Sequence, residues 1–122
     1  MDRLIIEEEW VEDIIVLKLR GYIDSGSSQF LEDKFRELVA EDKVKMVVDL
    51  GDVEYISSAG WGIFVGEIKG VRQLDGDIKL AGMSSSVREV FDLLEFNTLL
   101  KPYNSKEEAL AAFEAQKNQK LT

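Results

Sequence analysis

Six residues, "KMVVDL" at positions 45–50, set the strongest limit on the architecture of this chain. The run is too short for an ordinary helix and rich in valine, so it reads as a strand. Successive strand side chains point to opposite faces. Adjacent apolar residues therefore expose grease on both sides, and a strand of this kind belongs in a sheet covered on both faces. The cover has to come from helices elsewhere in the chain.

The flanking segments supply them. Residues 3–9 read as a short strand, a charged turn follows at Glu12 and Asp13, and "IIVLKLRGYI" (14–23) reads as a second strand paired to the first as a hairpin. "DSGSS" (24–28) is a loop, and a helix runs from it to about Ala40 with Leu31, Phe35, Leu38 and Val39 on one face. A second helix spans Ser58 to Leu74, "DGD" (75–77) turns the chain, and "IKLAG" (78–82) is another strand. Ser86 with Glu89 forms a capping box for a third helix whose stripe is Val87, Val90, Phe91 and Leu94. "LLKPY" (99–103) is a last strand. Asn104 and Ser105, with Glu107 and Glu108, offer two overlapping boxes for a final helix carrying Leu110 and Phe113. The order β-β-α-β-α-β-α-β-α implies an α/β fold, a mixed sheet with helices packed on it. Function in such sheets gathers at the loops after the strands. That places "DSGSS", "GDVEYISSAG" and "GMSSS" on one rim.

Length and composition are those of a single domain, residues 1–116, with a frayed tail at 117–122. No apolar run approaches the ~20 residues of a membrane span, and the acidic start "MDRLIIEEEW" is unlike a signal peptide. The expectation is a cytoplasmic protein with no membrane partner. The chain has no cysteine and no histidine. That excludes disulfides, the usual zinc sites and imidazole-dependent triads, leaving a carboxylate-only magnesium site open. No cofactor is expected. A net charge of −9 disfavours direct nucleic-acid binding and suits a basic protein surface.

The segment "DVEYISSAGWGIFVGEIKG" (52–70) raises the functional question. At 3.6 residues per turn, Gly60, Ile63, Phe64, Ile68, Val71 and Leu74 face inward. Gly62, Gly66 and Gly70 form an outer stripe, fit either for packing a neighbouring helix or for close approach of a partner. Trp61 and Val65 fall at the edge of the apolar arc. Tryptophan there is half-buried core or an interface anchor, and its place beside a serine at a helix start favours the anchor. One of Ser57 and Ser58 can cap the helix. The other is spare, at a helix end that tolerates a phosphate.

"VVDLGDVEYISSAGWGIFVG" resembles the signature of the STAS domain (sulphate transporter and anti-sigma factor antagonist). "LRGYID" (19–24) and "IKLAGMSSSVREVFDLLEF" are similar to further segments of that family, and the likeness runs along essentially the whole chain. The stand-alone bacterial members are anti-sigma factor antagonists. The resemblance implies a non-enzymatic serine phospho-switch. The unphosphorylated form would bind an anti-sigma factor that is also a GHKL-type serine kinase and so release the sigma factor. Phosphorylation would end binding, and a PP2C-type phosphatase would restore it. By motif position the acceptor is Ser58, with Ser57 second. The partner surface comprises Asp24, Ser57, Ser58, Ala59, Gly60, Trp61, Gly62 and Val65. Ser57 stands where the family often has Asp, Trp61 where Leu is common, and Met83-Ser84 where a small residue with Ser-Pro is frequent.

Other readings compete. Some STAS domains are subunits of lipid-transport ABC systems or stressosome scaffolds, and fold alone does not separate these roles. A response-regulator receiver is echoed by "RLIIEEEW", by Asp49 at a strand end and by Lys101-Pro102, with Asp49 as phospho-acceptor. A receiver needs a helix directly after its acidic cluster, where this chain has "IIVLKL". Weak nucleotide binding on the Ser-rich rim lacks a phosphate cradle of known spacing.

Overall fold

The computed structural model describes residues 4–121, with side chains up to Lys117. Strands β1 (Ile5–Val11), β2 (Ile14–Ile23), β3 (Lys45–Ile56), β4 (Asp77–Ala81) and β5 (Lys101–Tyr103) form one sheet in the order β1-β2-β3-β4-β5. β1 and β2 are an antiparallel hairpin, and every later pairing is parallel. Helices α1 (Ser28–Ala40), α2 (Ser58–Gln73), α3 (Ser85–Leu93) and α4 (Lys106–Leu121) join or follow the strands, with a 3-10 turn at Phe96–Thr98 before β5. The tail expected to fray is helical as far as Leu121, and Thr122 lies outside the described residues. The hairpin takes the place of a receiver's first βα unit. Asp49 spends one oxygen on a turn, accepting the Gly51 N–H at 3.0 Å, so the receiver reading is set aside.

The two faces of the sheet are covered unequally. One carries Ile15, Leu17 and Leu19 of β2, Met46, Val48 and Leu50 of β3, and Ile78 and Leu80 of β4. Against them pack Leu31, Phe35 and Leu38 of α1, Phe64, Ile68 and Val71 of α2, and Val87 and Phe91 of α3. On the other face Ile14, Val16, Val47 and Ala81 meet Ala109, Phe113 and Leu110 of α4, with Val11 and Tyr103 at the margin. Val47 on one side and Met46 and Val48 on the other are the pattern that "KMVVDL" demands.

The α4 face also buries Lys79, which is 1% exposed. Its ammonium lies 2.9 Å from Asp77 Oδ2 and 4.5 Å from the centre of the Phe113 ring. Residues two apart in a strand share a face, so one strand supplies both charges of the pair. A lone buried ammonium would be costly, and the carboxylate and ring offset that cost. Burial, with a smaller contribution from Asp77, pushes the neighbouring Tyr103 phenol up.

Several elements depart from the sequence reading. β3 does not end at Leu50 but continues to Ile56, because β2 is long enough to pair with it: Arg20 aligns with Asp52 and Ile23 with Ile56. Its local "GDVEYIS" composition reads as loop. The cap of α3 is Ser84, which accepts the Val87 N–H at 3.3 Å, and Ser86 bonds to Ser84 instead of capping. Val90 and Leu94, expected on the inner stripe of α3, are exposed, as is Leu74 at the C-cap of α2. Before α4, Ser105 accepts the Glu108 N–H as the cap, while Glu108 reaches back past it to the Asn104 N–H, so neither box closes reciprocally among the described residues.

Helix α2 is seated by glycine. A Cβ on Gly60 would lie 2.7 Å from Ile23 Cγ2, 2.9 Å from Ile56 Cγ2 and 3.0 Å from the Ile23 carbonyl oxygen. Cβ atoms on Gly62, Gly66 or Gly70 would meet nothing within 4 Å. The outer stripe therefore packs on no neighbouring element among the described residues. Gly60→Ala is expected to destabilise the fold by about 1–3 kcal/mol through overpacking. Gly66→Ala is expected to stabilise it by about 0.5–1 kcal/mol through helix propensity. Urea unfolding of the two variants checks both signs.

Candidate functional site

The site lies where β2 and β3 end together. The Ser57 N–H donates to the Ile23 carbonyl at 2.8 Å, which ties the last residue before α2 to the last residue of β2. Ser57 has extended backbone geometry, and its hydroxyl accepts the Gly60 N–H at 3.2 Å. Its carbonyl accepts the Trp61 N–H at 2.9 Å, the first bond of the helix. Of the two serines the sequence leaves open, Ser57 is thus the N-cap. Ser58 is the first helical residue. It is exposed, and its hydroxyl has no hydrogen bond among the described residues.

The surroundings of Ser58 are small and open. Ala59 and Gly62 are exposed, Val65 is half-buried, and Gly60 lies beneath against Ile23 and Ile56. The first amides of a helix lack intrahelical acceptors, and the helix dipole is positive there. The hydroxyl is a nucleophile-bearing group with free approach, at a place where an added anion needs no rearrangement of the fold.

Asp24 begins the neighbouring loop, immediately after the Ile23 carbonyl that holds Ser57. Its Oδ1 accepts the Gly26 N–H at 2.9 Å, the Ser27 N–H at 3.0 Å and the Ser27 hydroxyl at 3.2 Å. The Asp24 N–H in turn donates to Ser27 Oγ at 3.0 Å. One carboxylate oxygen thus fixes the shape of the loop. The other, Oδ2, has no hydrogen bond among the described residues and is left for solvent or a partner.

Trp61 is placed differently from expectation. It is 2% exposed and lies inside, with ring-centre distances of 5.1 Å to Phe96, 5.7 Å to Phe91 and 5.9 Å to Phe64. The wheel counts only the face of α2 turned to the sheet. Helix α3 and the 3-10 turn cover the adjoining flank and widen the buried arc to include position 61. The indole Nε1 is buried without a hydrogen-bond partner among the described residues. Trp61 therefore shapes the site from below and is not a surface anchor.

The rim is also staggered. The loops after β2 and β3 meet at Ile23 and Ser57, whereas β4 stops opposite Asp49. The "GMSSS" loop accordingly starts well below Ser58. Among the described residues no group of three or more acidic side chains is arranged to hold a metal ion. No helix among them is long and apolar enough to cross a membrane.

Against this geometry the comparisons with known proteins are decisive for the family. The STAS domain family matches residues 6–109. The chain belongs to that family. Among its STAS relatives, BtrV of Bordetella bronchiseptica is 33% identical over 103 residues, which are 84% of this chain and 89% of that protein. The anti-sigma-B factor antagonist of Bacillus subtilis is 35% identical over 82 residues, 67% of this chain and 74% of that protein. The fold is shared with the anti-sigma factor antagonist SpoIIAA in its unphosphorylated form, with a TM-score of 0.70 at 18% identity over 91% of this chain and 98% of that one. SpoIIAA of Bacillus in its phosphorylated form gives a TM-score of 0.69 at 17% identity, covering 89% and 99%. The mixed five-stranded sheet with four helices is the STAS fold.

The division of labour between the serines is testable without a partner. Ser57→Ala is expected to cost about 1 kcal/mol of stability through loss of the cap. Ser58→Ala is expected to leave stability within about 0.5 kcal/mol of the parent, as for other exposed positions. Equal losses in denaturant titrations would contradict the assignment of the cap.

Proposed function

We propose that this protein is an anti-sigma factor antagonist working as a serine phospho-switch, with Ser58 as the phosphate acceptor. One observation carries the reading: Ser57 takes the capping role and leaves the adjacent Ser58 hydroxyl exposed and unbonded at the start of α2. The names of the relatives support it, since one is an anti-sigma-B factor antagonist and SpoIIAA is described both with and without phosphate.

In this reading the unphosphorylated domain docks on an anti-sigma factor through the open surface at Ser58, Ala59, Gly62 and Val65, with Asp24 and the capped end of the helix beside it. Gly60 and Trp61 contribute from beneath, setting the height and tilt of the α2 N-terminus. Docking competes with the sigma factor and releases it. The anti-sigma factor is also a GHKL-type serine kinase. It directs the Ser58 oxygen onto the γ-phosphorus of ATP, the bond to ADP breaks, and the hydroxyl proton passes to a base on the kinase. The phosphoserine adds a charge of about −2. The helix N-terminus accommodates that charge, so the domain keeps its fold while the docking surface gains bulk and repulsion. Hydrolysis by a PP2C-type phosphatase returns the hydroxyl. The protein itself is a non-enzymatic, cytoplasmic single domain in this scheme, and all of the chemistry belongs to its partners.

Incubation with a cognate GHKL kinase and ATP, followed by phosphopeptide mass spectrometry, tests the acceptor. The parent and Ser57→Ala are expected to carry phosphate at position 58, and Ser58→Ala none. Phosphate retained in Ser58→Ala and lost in Ser57→Ala would sink the assignment. Ser58→Glu is expected to weaken binding to the anti-sigma factor at least about tenfold, or about 1.4 kcal/mol, with an unchanged circular dichroism spectrum. Calorimetry showing equal affinity would remove the charge-repulsion mechanism.

A further inference from the structure

The sheet has a third free edge besides its two outer strands. β4 pairs with β3 only from Lys45 to Asp49, and its last partner is Ala81. There the chain turns out of the sheet at Gly82, which has φ +72°, and enters α3. β3 continues to Ile56, and beyond Asp49 it pairs among the described residues with β2 alone. In a strand, alternate backbone groups point to each side, so residues 52–56 present unpaired N–H and C=O groups toward the space that β4 has left.

That space is a groove with a second wall. A cleft of about 490 Å³ lies between residues 51–54 of β3 and Ser84 and Ser86 at the start of α3. It is continued by a smaller apolar recess of about 60 Å³, bounded by Tyr55, Ile56, Trp61, Val87 and Val90. A strand edge beside a helix flank is the arrangement by which some domains bind extended peptides, with backbone bonds giving affinity and alternate side chains entering pockets.

Three observations identify the occupant. Apolar surface that α3 fails to bury lines the recess: Tyr55 is 55% exposed and Val90 39%. The recess includes Trp61, whose indole N–H is a buried donor with no partner among the described residues. The rim is acidic: Glu54 lines both cavities and has no ion pair among the described residues, and Asp52, which pairs with Lys18 and Arg20, lines the larger one. Pairing with a second copy would bring Glu54 to Glu54 between two chains of net charge −9. A basic strand meets the opposite situation. We propose that the free edge of β3 and the flank of α3 form a docking groove for an extended basic segment of a partner protein. The segment is five to seven residues long, adds as a strand beside residues 52–56, and places alternate small aliphatic side chains in the recess.

The probe is a blocked heptapeptide alternating lysine and valine, titrated into the whole chain and followed by amide and indole NMR signals. Saturable shifts are expected at residues 52–56 and at the Trp61 indole, with the Trp10 indole unmoved. An otherwise identical peptide N-methylated at every second residue is expected to bind at least tenfold more weakly, because it loses the strand bonds and keeps the side chains. Glu54→Lys is expected to weaken the lysine peptide at least fivefold and to favour a glutamate–valine peptide. Shifts confined to β1, equal binding of the N-methylated peptide, or no saturation at millimolar peptide would each overturn the proposal. Concentration-dependent dimerisation through the same residues without peptide would overturn it too, by assigning the groove to a second copy. Ser58→Ala is expected to bind the peptide unchanged, which separates this groove from the phospho-switch.

Discussion

The junction of Ile23, Ser57 and Gly60 carries the rest of the structure. A single N–H···O bond of 2.8 Å from Ser57 to Ile23 brings the ends of two parallel strands and the start of a helix to one point. The helix can approach only because residue 60 has no side chain, and it can begin there only because the Ser57 hydroxyl takes the Gly60 N–H. Loss of either condition loosens the seat of α2, and Phe64, Ile68 and Val71 share the strain, since they hang from the same element.

The same junction separates structural from functional duty. Two adjacent serines carry identical chemistry, and the local geometry divides it: one oxygen is consumed by a cap, the other is presented to solvent. The Asp24 loop is held in shape by its own hydrogen bonds and needs no contact with Ser58 to stay in place. Such a surface is preorganised, because its partner need not order the groups it touches. The aromatic cluster under Trp61 serves that rigidity from the other side.

Much of the architecture was legible in local patterns. The strand 14–23, the helix from Ser58 and the strand at 78–82 stand within a residue or so of where apolar periodicity and turn residues put them. The hairpin that distinguishes this chain from a receiver follows from "IIVLKL" being a poor helix. Trp61, Val90, Leu94 and Leu74 depart from the faces that residue counting gives for a helix resting on a sheet alone. The actual burial depends on which second helix covers the flank. The length of β3 is not legible locally either, since "GDVEYI" has loop-like composition and becomes a strand through its pairing with β2. Lys79 offered a faint signal in its spacing from Asp77, but only the placement of α4 turns that pair into a buried one.

By itself, then, the sequence determined the order of strands and helices, the need for cover on both faces of β3 and the presence of a serine pair at a helix start. These are properties of neighbouring residues, set by period, propensity and capping chemistry. Tertiary structure decided which serine is free, which way Trp61 turns, that the glycine stripe faces open space, and that β3 outruns β4 to leave an unpaired edge. Each of these depends on contacts between residues far apart in the chain. Sheet registry and helix-on-helix packing choose among options that local pattern leaves equal in energy.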